Sequence, residues 1–141
     1  MTYDLVIFLD FDGVLHGSST PFFHSVSIIE STLERLNAYV VFSTDWRESQ
    51  SLEQLKSYFS ESFQKRIIGV TPVLDVAVHK RYYECLAFLE DVQCKCWLAI
   101  DDRDDLFPKT ANLYLTDCRT GFDEKDTEKI FSLHCLQKQD F

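Results

Sequence analysis

The stretch LVIFLDFDG, residues 5–13, joins five consecutive apolar residues to two aspartates and a glycine. The apolar run predicts a buried strand, and Gly13 predicts a sharp turn where this strand ends. Because side chains two residues apart lie on the same side of a strand, Asp10 and Asp12 are expected to face one small site. The stretch therefore predicts a core strand with a pair of carboxylates at its carboxyl end.

Two carboxylates held close together repel each other unless a cation, a shared proton or a reacting phosphate compensates the repulsion. The pair Asp10 and Asp12 therefore favours a functional site. The alternative is a solvated turn, because Asp and Gly are ordinary turn residues. The residues that follow the other strands decide between these two interpretations.

The length and composition of the chain restrict its fold and its partners. Because 45% of its 141 residues are hydrophobic, we expect one well-packed domain over residues 1–141. The net charge of −9 disfavours a protein that grips nucleic acid over a broad surface. The sequence has no secretion signal and no run of about 20 apolar residues, so we expect a cytoplasmic protein without a membrane partner.

Strand-like and helix-like stretches alternate along the chain, which is typical of a parallel α/β sheet. The apolar runs predict strands at residues 5–9, 39–42, 67–70, 96–100 and 112–115. Apolar residues at helical spacing predict helices at residues 25–36, 49–63, 80–92 and about 123–136, the first capped by Ser25. We expect a three-layer α/β/α sandwich with a Rossmann-like parallel sheet of about five strands. The segment between the first strand and the first helix, residues 16–24, is too short for a lid domain. It predicts a hairpin or flap.

In an open parallel sheet, ligands bind beyond the carboxyl ends of the strands. Polar and reactive residues stand at these positions throughout the chain. They are Asp10 and Asp12 after the first strand, residues 43–47 (STDWR) after the second, Lys80 and Arg81 at the start of the third predicted helix, and residues 101–105 (DDRDD) after the fourth strand. Their joint placement predicts one reactive site at this edge of the sheet.

Four motifs between residues 10 and 105 resemble those of the haloacid dehalogenase-like (HAD) phosphohydrolase superfamily. Residues 10–15 match its DxDGxL motif, residues 40–43 its apolar strand ending in Ser or Thr, residues 80–81 its cation at a helix start, and residues 98–102 its strand ending in paired acids. The STDWR stretch, the spacing Arg81-x-x-Glu84 and the paired acids are similar to the small HAD domains of Swiss Army Knife RNA-repair proteins. The resemblance implies a HAD-like fold with a minimal cap.

The resemblance also implies a role for each acid. Asp10 resembles the nucleophile that attacks phosphorus and forms an aspartyl-phosphate. Asp12 resembles the general acid that protonates the leaving oxygen and then acts as the base that activates water. Mg²⁺ would be held by Asp10, Asp101 and the backbone carbonyl of Asp12, with Asp102 supporting this shell.

Two assignments within the resemblance stay open. The first is the cation that neutralises charge in the transition state. The spacing to Glu84 favours Arg81, whereas Lys80 has the residue type that is commoner at this position in the superfamily. Ser43 would donate a hydrogen bond to a phosphoryl oxygen, with Thr44 as the alternative. We favour Arg81 and Ser43.

Three further residues have two interpretations each. Arg47 binds substrate phosphate, or it forms a salt bridge with Asp45 or Glu48. Trp46 packs at the mouth of the site, or it stacks on a ring of the substrate. His16 contacts the substrate, or it is a surface histidine.

The predicted function is a Mg²⁺-dependent phosphatase that acts through an aspartyl-phosphate intermediate. By the same resemblance, a site without a substantial lid suits a large or protruding phosphorylated substrate such as a nucleic-acid end, and a small nucleotide or sugar phosphate is the alternative. A different class of function is a catalytically weak HAD-fold binding or regulatory module, since a fold does not guarantee its usual activity. The presence of both Asp10 and Asp12 disfavours that module. The position of DxDG after the first strand disfavours a receiver-like domain that is phosphorylated on aspartate.

Overall fold

The structure, a computed structural model, describes residues 2–133, which form one parallel sheet flanked by helices. The strands are β1 Thr2–Leu9, β2 Tyr39–Phe42, β3 Ile67–Val70, β4 Gln93–Asp101 and β5 Leu113–Leu115. Their order across the sheet is β3-β2-β1-β4-β5, and neighbouring strands are parallel. Because β1 is the middle strand, the residues that follow it lie at the centre of the carboxyl edge.

Helices cover both faces of this sheet. They are α1 Val26–Arg35, α2 Leu52–Lys56, α3 Glu61–Gln64, α4 Lys80–Leu89 and α5 Glu124–Phe131. Side chains of β1 alternate between the two faces: Leu5, Ile7 and Leu9 belong to the core under α1, α2, α3 and α5, whereas Val6 and Phe8 belong to the core under α4. The predicted three-layer α/β/α sandwich with a Rossmann-like sheet is confirmed.

The strand register aligns the carboxyl ends of the three central strands. Leu9 of β1 is level with Phe42 of β2 and with Ile100 of β4. The N–H of Asp10 donates to the carbonyl of Ile100 at 3.1 Å, and the N–H of Ser43 donates to the carbonyl of Leu9 at 2.9 Å. The residues that come next on these strands therefore lie side by side at one edge of the sheet.

The single helix predicted over residues 49–63 is wrong, because this segment folds as the two short helices α2 and α3. Ser60 marks the interruption: its hydroxyl accepts a hydrogen bond from the N–H of Phe63 and caps α3. The N–H and the hydroxyl of Ser60 also donate to Glu30 of α1, at 2.8 and 2.6 Å. Such local side-chain bonds compete with continuation of a helix.

The ends of three other helices differ from the prediction, and one of them, α4, ends at Leu89 instead of residue 92. Ser25 occupies the N-cap position of α1, but its buried hydroxyl has no hydrogen-bond partner among residues 2–133. Its ψ of 1° departs from the extended backbone of capping residues, so the hydroxyl does not reach the first N–H groups of the helix. Helix α5 ends at Phe131, short of the predicted end, and residues 134–136 of that prediction lie outside the described residues.

The connection between β1 and α1 consists of turns and one isolated bridge between Asp12 and His16. The N–H groups of Ser18 and Ser19 donate to the carbonyls of Cys118 and Arg119, both at 3.0 Å. These bonds hold residues 16–24, the flap, against the segment that follows β5. In the described part of the chain, no helix is long and apolar enough to cross a membrane.

Candidate active site

The carboxyl edge of the sheet brings three predicted site residues together. Asp10 follows β1, Ser43 follows β2, and Asp101 is the last residue of β4. Each is at most 3% exposed, because the sheet and the neighbouring loops cover it. Buried polar side chains carry a desolvation cost, so their convergence at one point requires compensating partners.

The carboxylates of Asp10, Asp101 and Asp102 form an acidic cluster in which one oxygen of each lies within 4.8 Å of the others. Gly13 makes this close approach possible. Its φ of +80° lies in the left-handed region, and a Cβ atom at this position would overlap the carboxylate of Asp102. The glycine of the DxDG stretch therefore provides both the turn and the space for an acid.

Arg81 in the first turn of α4 compensates two of these carboxylates. Its Nη1 atom lies 3.0 Å from Oδ2 of Asp10 and 2.8 Å from Oδ2 of Asp101. Its Nη2 atom lies 3.3 Å from Oδ1 of the exposed Asp45. Lys80, the alternative cation, has no ion pair among the described residues. The geometry thus brings Arg81, and not Lys80, into the predicted site.

Burial and mutual repulsion act on the acids of the cluster. Burial raises the pKa of Asp10 well above its usual range, and the negative charge of Asp101 raises it further while Arg81 opposes the shift. Burial also raises the pKa of Asp101 to about 6, against the opposing effect of Arg81. One guanidinium therefore compensates three carboxylates only in part, and the cluster favours an additional cation.

The acidic cluster fits a hard divalent cation. Its donors are carboxylate oxygens, which are the ligands that Mg²⁺ prefers, and the cluster retains excess negative charge. Asp10, Asp101 and Asp102 are the residues that would hold the ion. The carboxylate of Asp12 lies outside this cluster, and a role for the Asp12 backbone carbonyl at a metal stays a prediction.

Asp12 lies at the mouth of the site, with 66% of its side chain exposed. Its Oδ1 atom lies 3.0 Å from Nε2 of His16, and its Oδ2 atom accepts a hydrogen bond from the indole N–H of Trp46 at 2.9 Å. His16 is buried rather than on the surface. Trp46 packs edge to face against Phe11 and also contacts Asp12, which combines the predicted packing role with a polar one.

Ser43 and Thr44 differ in their hydrogen bonding. The buried hydroxyl of Ser43 has no hydrogen-bonded oxygen or nitrogen partner among residues 2–133, and it interacts with the weakly polar thiol of Cys85. The hydroxyl of Thr44 accepts from the N–H of Trp46 at 3.3 Å and caps the 3₁₀ turn Asp45–Glu48. The hydroxyl of Ser43 is therefore available to donate to a ligand, whereas the hydroxyl of Thr44 already bonds a backbone N–H.

Arg47 has other partners than the predicted substrate phosphate, and they differ from the predicted Asp45 and Glu48. Its guanidinium donates to the carbonyls of Thr44, Thr71 and Pro72 at 2.6 to 3.1 Å, and its Nη2 atom lies 2.9 Å from Oε2 of Glu84. Both side chains of the Arg47–Glu84 pair are at most 4% exposed. The pair therefore ties the loop after β2 to α4, and the bonds to the Thr71 and Pro72 carbonyls tie the same loop to the loop after β3.

A cavity of about 470 Å³ opens beside Asp12. It lies between the flap and the segment after β5, and its lining residues are Asp12, Gly13, His16, Gly17, Ser18, Thr20, Phe22, Asp102 and Cys118. Phe22, with 72% of its surface exposed, presents an aromatic ring to solvent at this cavity. The cavity therefore combines an acidic side with an uncovered aromatic side.

Three contacts of the site are not part of the sequence prediction. They are the His16 and Trp46 hydrogen bonds to Asp12 and the pairing of Arg47 with Glu84. The spacing Arg81-x-x-Glu84 indicated part of this arrangement in the sequence, because it places two buried charges one helical turn apart. The Trp46 contact joins residues 34 apart in the chain, and the His16 contact depends on the turns between residues 12 and 16, so no helix or strand pattern reveals either of them.

Comparison with protein-family models identifies one matching family, described as the HAD domain in Swiss Army Knife RNA repair proteins. The match covers residues 6–127, from β1 into α5, and includes every residue of the acidic cluster. Comparisons with curated proteins and with solved structures found no match. The extent of the family match agrees with the parallel sheet and with the acids at its carboxyl edge. The chain therefore belongs to the HAD domains of the Swiss Army Knife RNA-repair type.

Proposed function

We propose that this protein is a phosphatase that hydrolyses a phosphoric monoester through Asp10, with Mg²⁺ as its cofactor. The observation that carries the proposal is the guanidinium of Arg81, which bridges the carboxylates of Asp10 and Asp101. The hydroxyl of Ser43, on the neighbouring strand end, has no oxygen or nitrogen partner among the described residues. The edge of the sheet thus offers a nucleophile, a cation and a hydrogen-bond donor.

In the first step, a carboxylate oxygen of Asp10 attacks phosphorus, and the bond between phosphorus and the leaving oxygen breaks. Asp12 transfers its proton to that oxygen, which departs as an alcohol. The N–H of Phe11 holds Oδ1 of Asp10 at 2.8 Å, and Arg81 holds Oδ2 at 3.0 Å, so the nucleophile has one orientation. Arg81 and Ser43 stabilise charge on the transferring group.

In the second step, Asp12 is a carboxylate and removes a proton from a water molecule. The oxygen of that water attacks phosphorus, and the bond between phosphorus and Asp10 breaks. The products are inorganic phosphate, ionised Asp10 and protonated Asp12, so both acids return to their starting states. The large exposed fraction of Asp12 supports this role, because water reaches its carboxylate.

Mg²⁺ held by Asp10, Asp101 and Asp102 would supply positive charge that favours ionised Asp10 and neutralises the phosphate of the substrate. The nucleophile must be ionised, whereas burial raises the pKa of Asp10. Arg81 opposes that effect, and a bound Mg²⁺ would oppose it further.

The proposed substrate carries its phosphate on a nucleotide or on a nucleic-acid end. The leaving oxygen must lie next to Asp12, and the cavity beside Asp12 therefore accommodates the leaving group. Phe22 offers an exposed ring on which a base can stack. The description of the family, with its reference to RNA repair, supports the same substrate class. A cytoplasmic location of this single domain is part of the proposal.

The test measures phosphate release in the presence of Mg²⁺ from 4-nitrophenyl phosphate, nucleoside monophosphates and end-phosphorylated RNA and DNA. We expect Asp10→Asn to lower the rate by at least about a thousandfold, because it removes the nucleophile. Asp91→Asn, at an exposed position near the opposite end of the sheet, is the matched control and should act like wild type. Chelation of Mg²⁺ should also abolish the activity.

Equal rates for wild type and Asp10→Asn on every substrate would contradict the proposal. That outcome would favour a HAD-fold binding or regulatory module. A stable acyl phosphate on Asp10 without turnover would instead favour a receiver-like role.

A further inference from the structure

Each of the two carboxylate oxygens of Asp12 is held by an N–H group of an aromatic side chain. Nε2 of His16 lies 3.0 Å from Oδ1, and the indole N–H of Trp46 donates to Oδ2 at 2.9 Å. The two donors come from different segments, the flap and the loop after β2. An exposed aspartate would otherwise sample several rotamers, so this pair of donors selects one orientation.

The backbone identifies which nitrogen of His16 carries the proton. The N–H of Phe23 donates to Nδ1 of His16 at 3.2 Å, so Nδ1 carries the lone pair. Nε2 of the neutral imidazole is then the N–H group that donates to Asp12. Phe23 has a φ of +61°, in a region that costs energy for a residue with a side chain. The flap thus adopts a strained backbone at the residue that sets the tautomer of His16.

Packing fixes the two donors themselves. The side chain of His16 is only 7% exposed, and its ring centroid lies 4.7 Å from that of Phe22 and 5.5 Å from that of Phe23. The ring of Trp46 lies 5.7 Å from Phe23 and 6.0 Å from His16. The donors are therefore rigid, while the carboxylate that they hold faces solvent and the cavity.

We propose that His16 and Trp46 are positioning residues that aim the carboxyl group of Asp12 at the leaving oxygen. The inference rests on the proposed function, because it concerns the acid of that reaction. A merely structural role fits the contacts poorly: an exposed carboxylate is hydrated and needs no buried partner. Two converging, rigid donors instead supply the pre-organisation that proton transfer requires.

The dependence of the reaction rate on the leaving group isolates this positioning role. An alkyl phosphate, such as glycerol phosphate, needs a proton on its leaving oxygen, whereas 2,4-dinitrophenyl phosphate releases a stable phenolate without one. With the enzyme in excess over substrate, release of the leaving group reports the first step alone, before Asp12 acts as the base of the second step. A variant with a misplaced acid therefore releases glycerol slowly and releases the phenolate at the wild-type rate. A variant with a damaged fold loses activity on both. Asp12→Asn serves as the reference for complete loss of the acid.

The variants separate the two hydrogen bonds of His16. The His16→Asn variant offers an oxygen to the N–H of Phe23, as Nδ1 does, but the new side chain is too short to reach Asp12. The His16→Gln variant places an NH₂ group near the position of Nε2 and retains the donor to Asp12. Trp46→Phe keeps an aromatic ring and removes the other donor. His24→Asn is the control, because His24 is an exposed histidine of the same flap.

We expect His16→Asn and Trp46→Phe each to lower the single-turnover rate of glycerol release by about tenfold or more, a fraction of the full contribution of a general acid. The single-turnover rate of phenolate release from 2,4-dinitrophenyl phosphate should stay within about twofold of wild type for both, and His16→Gln should recover the rate of glycerol release. Equal losses on the two substrates, or no loss on either, would overturn the positioning role while leaving the phosphatase intact. A wild-type protein as inactive as Asp10→Asn on both substrates would overturn both proposals.

Discussion

The Nη1 atom of Arg81 lies 2.8 Å from Oδ2 of Asp101, and both side chains are almost fully buried. The same nitrogen reaches Asp10, so one guanidinium links the end of β1 to the end of β4. Burial raises the pKa of Asp101, and the proximity of Arg81 limits that shift. This contact makes α4 part of the candidate active site and distinguishes Arg81 from its neighbour Lys80.

The first prediction concerns this cation. We expect Arg81→Met to lower kcat by at least about a hundredfold, because the charge that stabilises the transferring phosphoryl group is lost. Lys80→Met, one residue away on the same helix, should leave kcat unchanged. Steady-state kinetics on 4-nitrophenyl phosphate measure both, and circular dichroism verifies that both variants fold. The reverse result would assign the role to Lys80.

The second prediction concerns Mg²⁺ and pH. The pKa of Asp101 rises from its ordinary value of 3.8 to about 6 in the folded protein, so folding favours its protonated form. Its contribution to stability is therefore present at acidic pH and is lost as the pH rises through about 6. We expect Mg²⁺ to raise the Tm more at about pH 7.5 than at about pH 5, because the ion binds the ionised cluster.

Differential scanning calorimetry with Mg²⁺ and with a chelator measures this difference. Asp101→Asn should show a smaller Mg²⁺ effect and a flatter dependence of Tm on pH. Asp91→Asn should behave like wild type. A Mg²⁺ effect that is independent of both pH and Asp101 would contradict the assignment of the cluster as the metal site.

The third prediction separates Ser43 from Thr44. Ser43→Ala should lower kcat by about a hundredfold, because it removes a hydrogen bond to the phosphoryl group. Its free energy of unfolding should change little, since the hydroxyl has no oxygen or nitrogen partner to lose within the described chain. Thr44→Ala should cost about 1 kcal/mol of stability through loss of the cap, with little change in kcat. Urea denaturation and steady-state kinetics on both variants test this contrast.

The fourth prediction concerns Arg47. Arg47→Ala should lower the free energy of unfolding by about 3 kcal/mol, because Glu84 would remain buried without its cation. Arg119→Ala, which removes an exposed ion pair with Asp117, should cause no measurable change. Urea denaturation compares the two variants. A stable Arg47→Ala protein with a raised KM would instead support the role in substrate binding that the sequence suggested.

The fifth prediction concerns the leaving group. Phe22→Ala should raise KM for a nucleoside monophosphate by about tenfold, since stacking on an aromatic side chain contributes to the binding of a base. KM for glycerol phosphate, which has no ring, should stay unchanged. Tyr83→Ala removes another exposed ring, on α4, and serves as the control. A parallel rise of KM for both phosphates would indicate that Phe22 shapes the site without binding a base.

The number of strands and the bounds of β2 and β3 followed from the sequence, because strand signals are local. An apolar run such as residues 39–42 needs no distant partner to be recognised. The motif residues Asp10, Ser43 and Asp101 were also predictable, since each follows directly on such a run and parallel strands end at the same edge. The sequence alone thus determined the α/β class and the edge of the sheet that carries the acids.

The tertiary structure decided which of two neighbouring residues contacts the acids. Arg81 and Lys80 differ by about 100° around the axis of α4, and the packing of that helix on the sheet turns Arg81 toward the acids. The helix break at Ser60 depends on Glu30 of another helix. The hydrogen bond between His16 and Asp12 depends on the backbone conformation of the flap. Such choices rest on tertiary packing and on loop conformation, which no local helix or strand pattern encodes, so only the folded arrangement determines them.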